Sequence, residues 1–157
     1  MKKLTLILCV AASLASAKTA PSFRGDLLAG GKTSLDAIVK KDRLVLLSFW
    51  ATWCVPCLQE LTAVTEKMKK EPGVPVDLMT INVDREDRSA IPATMRELKL
   101  EFPVVLDPTG DIFGKYQKAS TLPFSVLINP KKEIVEEFNG YHDGMFDKIK
   151  AAAAKLK

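Results

Sequence analysis

At 157 residues the chain suits one self-sufficient core of the usual domain size, roughly 100–150 residues, and no second module is expected. With 47% apolar and 27% charged residues it has the make-up of an ordinary globular protein, and no Gly/Ser tract or charge block marks a disordered tail. The formal charge of +4 is spread over Lys40-Lys41, Lys69-Lys70, Lys131-Lys132, Lys155 and Lys157, not gathered into an aromatic-interleaved stripe, which argues against nucleic acid as a partner.

Lys2 and Lys3 precede an apolar run from Leu4 to Leu14, and Ala15-Ser16-Ala17 supplies the small residues of a signal-peptidase site. Residues 1–17 are therefore expected to be a secretory signal cleaved after Ala17, leaving residues 18–157 as the mature domain. A retained anchor is the competing reading. It needs about 20 apolar residues, whereas this run is interrupted by Ser13 and Ser16 and ends at Lys18. Cleavage takes the two lysines off the charge of +4, to +2. It also removes Cys9, which the bulky Leu8 and the short preceding apolar stretch make a poor lipoprotein site.

Along the mature chain, Phe23 to Lys41 has no clear period, although Gly30-Gly31 marks a turn and Leu35 to Val39 fits a helical turn. Leu44 to Trp50 is a near-continuous apolar run, expected as a strand covered on both faces. After it Leu58, Leu61, Val64 or Thr65 and Met68 recur at helical spacing until Glu71-Pro72-Gly73. Val76 to Val83 reads as a strand, and Ile91, Met95 and Leu98 as a short helix with Pro92 in its first turn. Phe102 to Leu106 is a further strand, Asp107-Pro108-Thr109-Gly110 a turn, and Ile112, Phe113 and Tyr116 a short helix. Phe124 to Ile128 and Glu133 to Phe138, joined by Asn129-Pro130-Lys131-Lys132, predict an antiparallel hairpin. Met145, Ile149, Ala153 and Leu156 face the core from a closing helix. The expected fold class is α/β, a mixed sheet flanked by helices.

Loss of Cys9 isolates Cys54 and Cys57 in a chain sent to a compartment where disulfides persist. A disulfide closing so short a loop restricts the unfolded chain little, so the pair is chemical before it is structural. Cys54-Val55-Pro56-Cys57 lies where a buried strand passes into a helix. Residues three apart in a helical turn can be bridged with little backbone movement, since a disulfide spans Cα atoms about 4.4–6.8 Å apart. Unpaired N–H groups and the helix dipole favour a thiolate at the first position. Cys54 is thus the expected nucleophile and Cys57 the resolving thiol, with Pro56 suited to the first turn. A zinc site needs about four Cys or His ligands, and beside the pair the mature chain has only His142. Neither a metal nor another cofactor is expected.

Phe49-Trp50-Ala51-Thr52-Trp53-Cys54-Val55-Pro56-Cys57 resembles the active-site segment of thioredoxin-fold proteins, most closely the TlpA/ResA-like periplasmic thiol-disulfide oxidoreductases. Gly31-Lys32-Thr33-Ser34-Leu35, Phe102-Pro103-Val104-Val105-Leu106-Asp107 and Thr121-Leu122-Pro123 extend the likeness over most of the mature chain. The resemblance implies a thioredoxin-like fold with a central mixed β-sheet and helices on both faces. It also implies that Pro123 is a cis-proline facing the cysteines and that the backbone of Leu122 pairs with an incoming substrate strand. An ordinary trans proline opening an edge strand is the alternative. Phe124 and Ser125 depart from the small polar residues usual there, which bears on substrate preference.

Thioredoxins carry a buried Asp six residues before the first cysteine, where this chain has Ser48, and a hydroxyl cannot act as a base near neutral pH. The resemblance moves that role to Glu60, which lies on the helix face of Cys57; a solvated helix glutamate is the alternative. Trp53 is expected beside Cys54 on the substrate face, and Trp50 packed beneath it. The family relation further implies a monomer in the periplasm that reduces disulfides of exported proteins, apocytochrome c among them, with electrons from a membrane reductase of the CcdA or DsbD type. A periplasmic oxidant is one alternative. Another is a copper-delivery protein using Cys54, Cys57 and His142, although such proteins place three residues between their cysteines. A peroxidase needs Pro-x-x-x-Thr/Ser-x-x-Cys, and Thr52 stands too close to Cys54 for that pattern.

Overall fold

A computed structural model describes residues 18–86 and 88–156; the expected signal, residues 1–17, lies outside them. Strand β4, Leu44–Trp50, is buried along its whole length. It pairs in parallel with β5, Val76–Asn82, on one side and antiparallel with β7, Phe124–Ile128, on the other. A strand with neighbours on both edges and helices on both faces meets no water, which is why its apolar run is unbroken except at Ser48. Beyond β5 lies β6, Val104–Leu106, and beyond β7 lies β8, Glu133–Asn139, joined to it as the expected hairpin.

The segment without a clear period holds three further strands, β1 (Lys18–Thr19), β2 (Arg24–Leu27) and β3 (Lys32–Ser34), and the one-turn helix α1, Leu35–Ile38. The full sheet runs β1-β8-β7-β4-β5-β6-β2-β3. Gly30 and Gly31, at φ 93 and 82, reverse the chain between β2 and β3 in a conformation that costs other residues strain. These short strands carry no buried face: β1 is held by pairing with β8, β2 by pairing with β6, and β3 by pairing with β2.

Alternate side chains of β4 feed two cores. Leu44, Leu46 and Trp50 pack against α2 (Val55–Lys70), α3 (Ala90–Glu97) and α5 (Met145–Ala153). Val45, Leu47 and Phe49 face α1 and α4, Phe113–Tyr116. On that second face Phe49 stacks on Phe113 at 5.0 Å and on Phe124 at 5.9 Å between ring centroids. Burying one such ring is worth about 1.5–3 kcal/mol. The central mixed sheet with helices on both faces is thus the expected fold. Helix α5 stops at Ala153, short of Leu156, and β6 starts at Val104, two residues later than its apolar run.

Gly25 of β2 lies against β6: a Cβ there would come within 2.4 Å of Val105 Cγ1 and 3.3 Å of Ile112 Cδ1. Val105 is fully buried and cannot swing away. Gly25→Ala is therefore expected to destabilise the fold by about 1–3 kcal/mol, read as a lower urea midpoint with an unchanged m-value; an unchanged midpoint would show that the β2–β6 contact is soft.

Candidate functional site

The site forms where β4 ends. Ala51, Thr52 and Trp53 turn the chain out of the sheet, and Cys54 is the N-cap of α2, with Pro56 in the first helical turn. Asp84, in the loop after β5, holds this turn: its two carboxylate oxygens accept from the Thr52 N–H at 3.2 and 3.1 Å. Asp84 is itself fixed by Asn82, whose Nδ2 donates to it at 3.0 Å and whose Oδ1 accepts from the Asp84 N–H at 3.0 Å. The loops at the carboxyl ends of the parallel strands thus carry the site, as is general for such sheets.

Cys54 and Cys57 are joined in a disulfide with Cα atoms 5.3 Å apart. The Cys57 N–H also donates to Cys54 Sγ at 3.3 Å. A negative charge on Cys54 would thus meet a donor already in place and the positive end of a sixteen-residue helix. Cys54 keeps 5% of its surface exposed and Cys57 1%.

Glu60 stands one turn beyond Cys57 and is only 1% exposed, which rules out the solvated alternative. Its Oε1 accepts from Ser48 Oγ at 3.1 Å and from Ser125 Oγ at 2.6 Å, while Oε2 is buried with no partner. Burial pushes the carboxyl above its ordinary 4.5, and the hydrogen bonds from Ser125 and Ser48 pull the other way. Phe124 lies in the aromatic cluster and Ser125 is fully buried against Glu60, so their departure from the family pattern lies in the protein interior. Sequence reasoning named both serines but missed that they donate to Glu60, and it missed Asp84. The available signal was a single polar residue breaking each of two buried apolar strands.

The Leu122–Pro123 peptide bond is cis, the isomer the resemblance implies. The Pro123 carbonyl accepts from the Gly140 N–H at 2.9 Å, which ties this turn to the end of β8. Trp53 is 71% exposed and Trp50 fully buried. Trp53 and Leu122 line one groove of about 720 Å³ with Val83, Arg85, Ala90 and Phe113. The groove is mixed in character: Thr52, Asp84, Glu86 and Thr109 line it as well as the apolar side chains. His142 is exposed and rests against the Phe138 ring, 5.8 Å between centroids. Among the described residues no group of three or more His, Cys, Asp or Glu is placed to hold a metal ion.

A disulfide between cysteines three apart at a helix N-terminus is the arrangement that thiol-disulfide exchange uses. The fold and the site together define a thiol-disulfide oxidoreductase with a thioredoxin-like fold. Residues 17–137 match the model of the AhpC/TSA family, and the chain belongs to that family. Among curated relatives, the thiol-disulfide oxidoreductase ResA of Bacillus subtilis (strain 168) is 31% identical over 128 residues, 82% of this chain and 69% of that protein. StoA of Bacillus subtilis superposes with a TM-score of 0.66 at 28% identity, covering 84% of this chain and 97% of that one. A thiol-disulfide oxidoreductase from Bacteroides fragilis superposes with a TM-score of 0.74 at 27% identity, covering 86% and 99%. The resemblance to ResA-like proteins holds in sequence and in fold.

The raised pKa of Glu60 has a fixed sign for stability. A carboxyl that binds its proton more tightly in the folded state adds stability below its ordinary 4.5, and that contribution is lost as pH rises through the folded value. The melting temperature of Glu60→Gln minus that of the wild type is thus expected to increase as pH rises from acid to neutral. A gap that stays constant with pH would show that the carboxyl is not buried in solution.

Proposed function

We propose that the protein works in the periplasm as a reductant of disulfides in other exported proteins. The observation that carries this reading is the Cys54–Cys57 disulfide on the N-terminus of α2 with the buried carboxyl of Glu60 one turn away. Cys54 attacks the substrate disulfide and forms a mixed disulfide. Glu60 takes the proton of Cys57, whose thiolate then displaces the reduced substrate. Trp53, Leu122 and Pro123 receive the substrate segment beside Cys54, with the Leu122 backbone pairing to it as an added strand.

The export signal read in residues 1–17 and the likeness to ResA support a place outside the cytoplasm. Among the described residues no helix is long and apolar enough to cross a membrane, and an oxidising compartment is where a dedicated reductant is needed. In this reading apocytochrome c thiols are a target, a membrane reductase of the CcdA or DsbD type re-reduces the pair, and the protein acts as a monomer.

Two measurements test it. Cys57→Ser expressed in the native periplasm is expected to accumulate mixed disulfides on Cys54 that identify the substrates; no covalent adduct would overturn the order of attack. The reduction potential is expected near the thioredoxin end of the range, about −270 mV. A value as high as that of DsbA, about −120 mV, would make the protein an oxidant.

A further inference from the structure

Ser48 of β4 and Ser125 of β7 are direct partners across the antiparallel ladder. Both turn toward α2, and both donate to the same oxygen, Glu60 Oε1. The other oxygen, Oε2, has no partner although it is buried. A carboxyl that only needed its burial relieved would gain more from one donor on each oxygen, because each unsatisfied buried acceptor has a cost of its own. The division here is instead two donors and none. β4 and β7 carry no ionisable side chain. The titratable groups disposed around the carboxyl are Cys57, one turn earlier on α2, and Tyr141, in the loop before α5. The Tyr141 phenol is pushed up by burial, by its hydrogen bond to Asp143, and by the charges of Asp143 and Glu60.

We propose that Ser48 and Ser125 are positioning residues that make Glu60 a one-sided base, pinning Oε1 to the sheet and leaving Oε2 as the oxygen that exchanges a proton with Cys57. The inference rests on the proton-transfer role given to Glu60 above. In the resolving step Oε2 takes the proton from the Cys57 thiol. The resulting thiolate attacks Cys54 Sγ, the Cys54–Cys57 bond forms, and the bond from Cys54 to the substrate sulfur breaks, that sulfur leaving with the electron pair as a thiolate. The enzyme dithiol is oxidised and the substrate disulfide reduced, with no other reactant. The two hydroxyl donors favour the ionised carboxyl against its burial, so the base stays available at lower pH than burial alone would allow.

The test uses reduced full-length protein and a chromogenic aromatic disulfide, which releases one thiolate when Cys54 attacks and a second when Cys57 resolves. The rate of the second release is followed against pH. In the wild type it falls in acid as Glu60 takes its proton, and Glu60→Gln is expected to lose this dependence. Ser125→Ala and Ser48→Ala are each expected to move the fall upward by about one pH unit, the effect of one lost hydrogen bond to a charged group. Ser48→Thr, which keeps the hydroxyl, should leave it in place. If the serine variants slow the second release at every pH without moving the fall, or if Ser48→Thr shifts it as far as Ser48→Ala, the positioning role is overturned while Glu60 keeps its own. If Glu60→Gln retains the wild-type profile, the role of Glu60 fails and this inference fails with it. Each alanine change removes one atom, and should either variant not fold, the other decides.

Discussion

At the carboxyl end of β4 the chain leaves a fully buried strand and begins a helix whose first backbone N–H groups have no carbonyl to bond. A side chain must satisfy them, and here that side chain is a sulfur: Cys54 caps α2 and accepts from the Cys57 N–H. The same junction joins the two sulfurs and buries both cysteines, Cys54 slightly less than Cys57. The rest of the molecule holds this junction still. The strands on either side of β4 fix its end, and the Asn82–Asp84 pair holds the turn at Thr52.

Behind the junction the protein accepts a cost that a purely structural core would avoid. Ser48, Glu60 and Ser125 form a polar group inside otherwise apolar layers. Burial of a carboxyl works against its charged form. A chain selected for stability alone would put an aliphatic side chain at position 60, where α2 meets the sheet. The retained carboxyl lies one turn from Cys57 with one of its two oxygens satisfied, the setting on which its proposed role as proton acceptor rests. The surface beside the junction is built differently: Trp53 projects into solvent, and the groove it lines with Leu122 mixes apolar side chains with Asp84, Arg85 and Glu86.

Much of this was legible in the chain. The continuous apolar run of β4 announced a strand with no wet face, and the helical spacing of Leu58, Leu61 and Met68 announced α2, because burial and periodicity are local properties. The hairpin of β7 and β8 and the closing helix were readable for the same reason. The short strands β1, β2 and β3 were not, since they bury no face of their own, and β1 and β2 owe their form to β8 and β6, far along the chain. Within the site, the spacing of Cys54 and Cys57 indicated the bond between them. The place of Glu60 could not be read so far: one helix position is compatible with water or with the core, and the choice depends on what packs over it.

Residue order within single elements was thus enough to specify an α/β chain with a redox pair at a strand-to-helix passage, because a helix end and the spacing of two cysteines act over one turn. Folding in three dimensions settled which face of α2 is dry. It brought Ser48 and Ser125, far apart along the chain, together as cross-strand neighbours, and it aimed both at one oxygen of Glu60. Those outcomes follow from sheet register and from which helix covers which strand, and pairing between distant segments leaves no periodic mark in either of them.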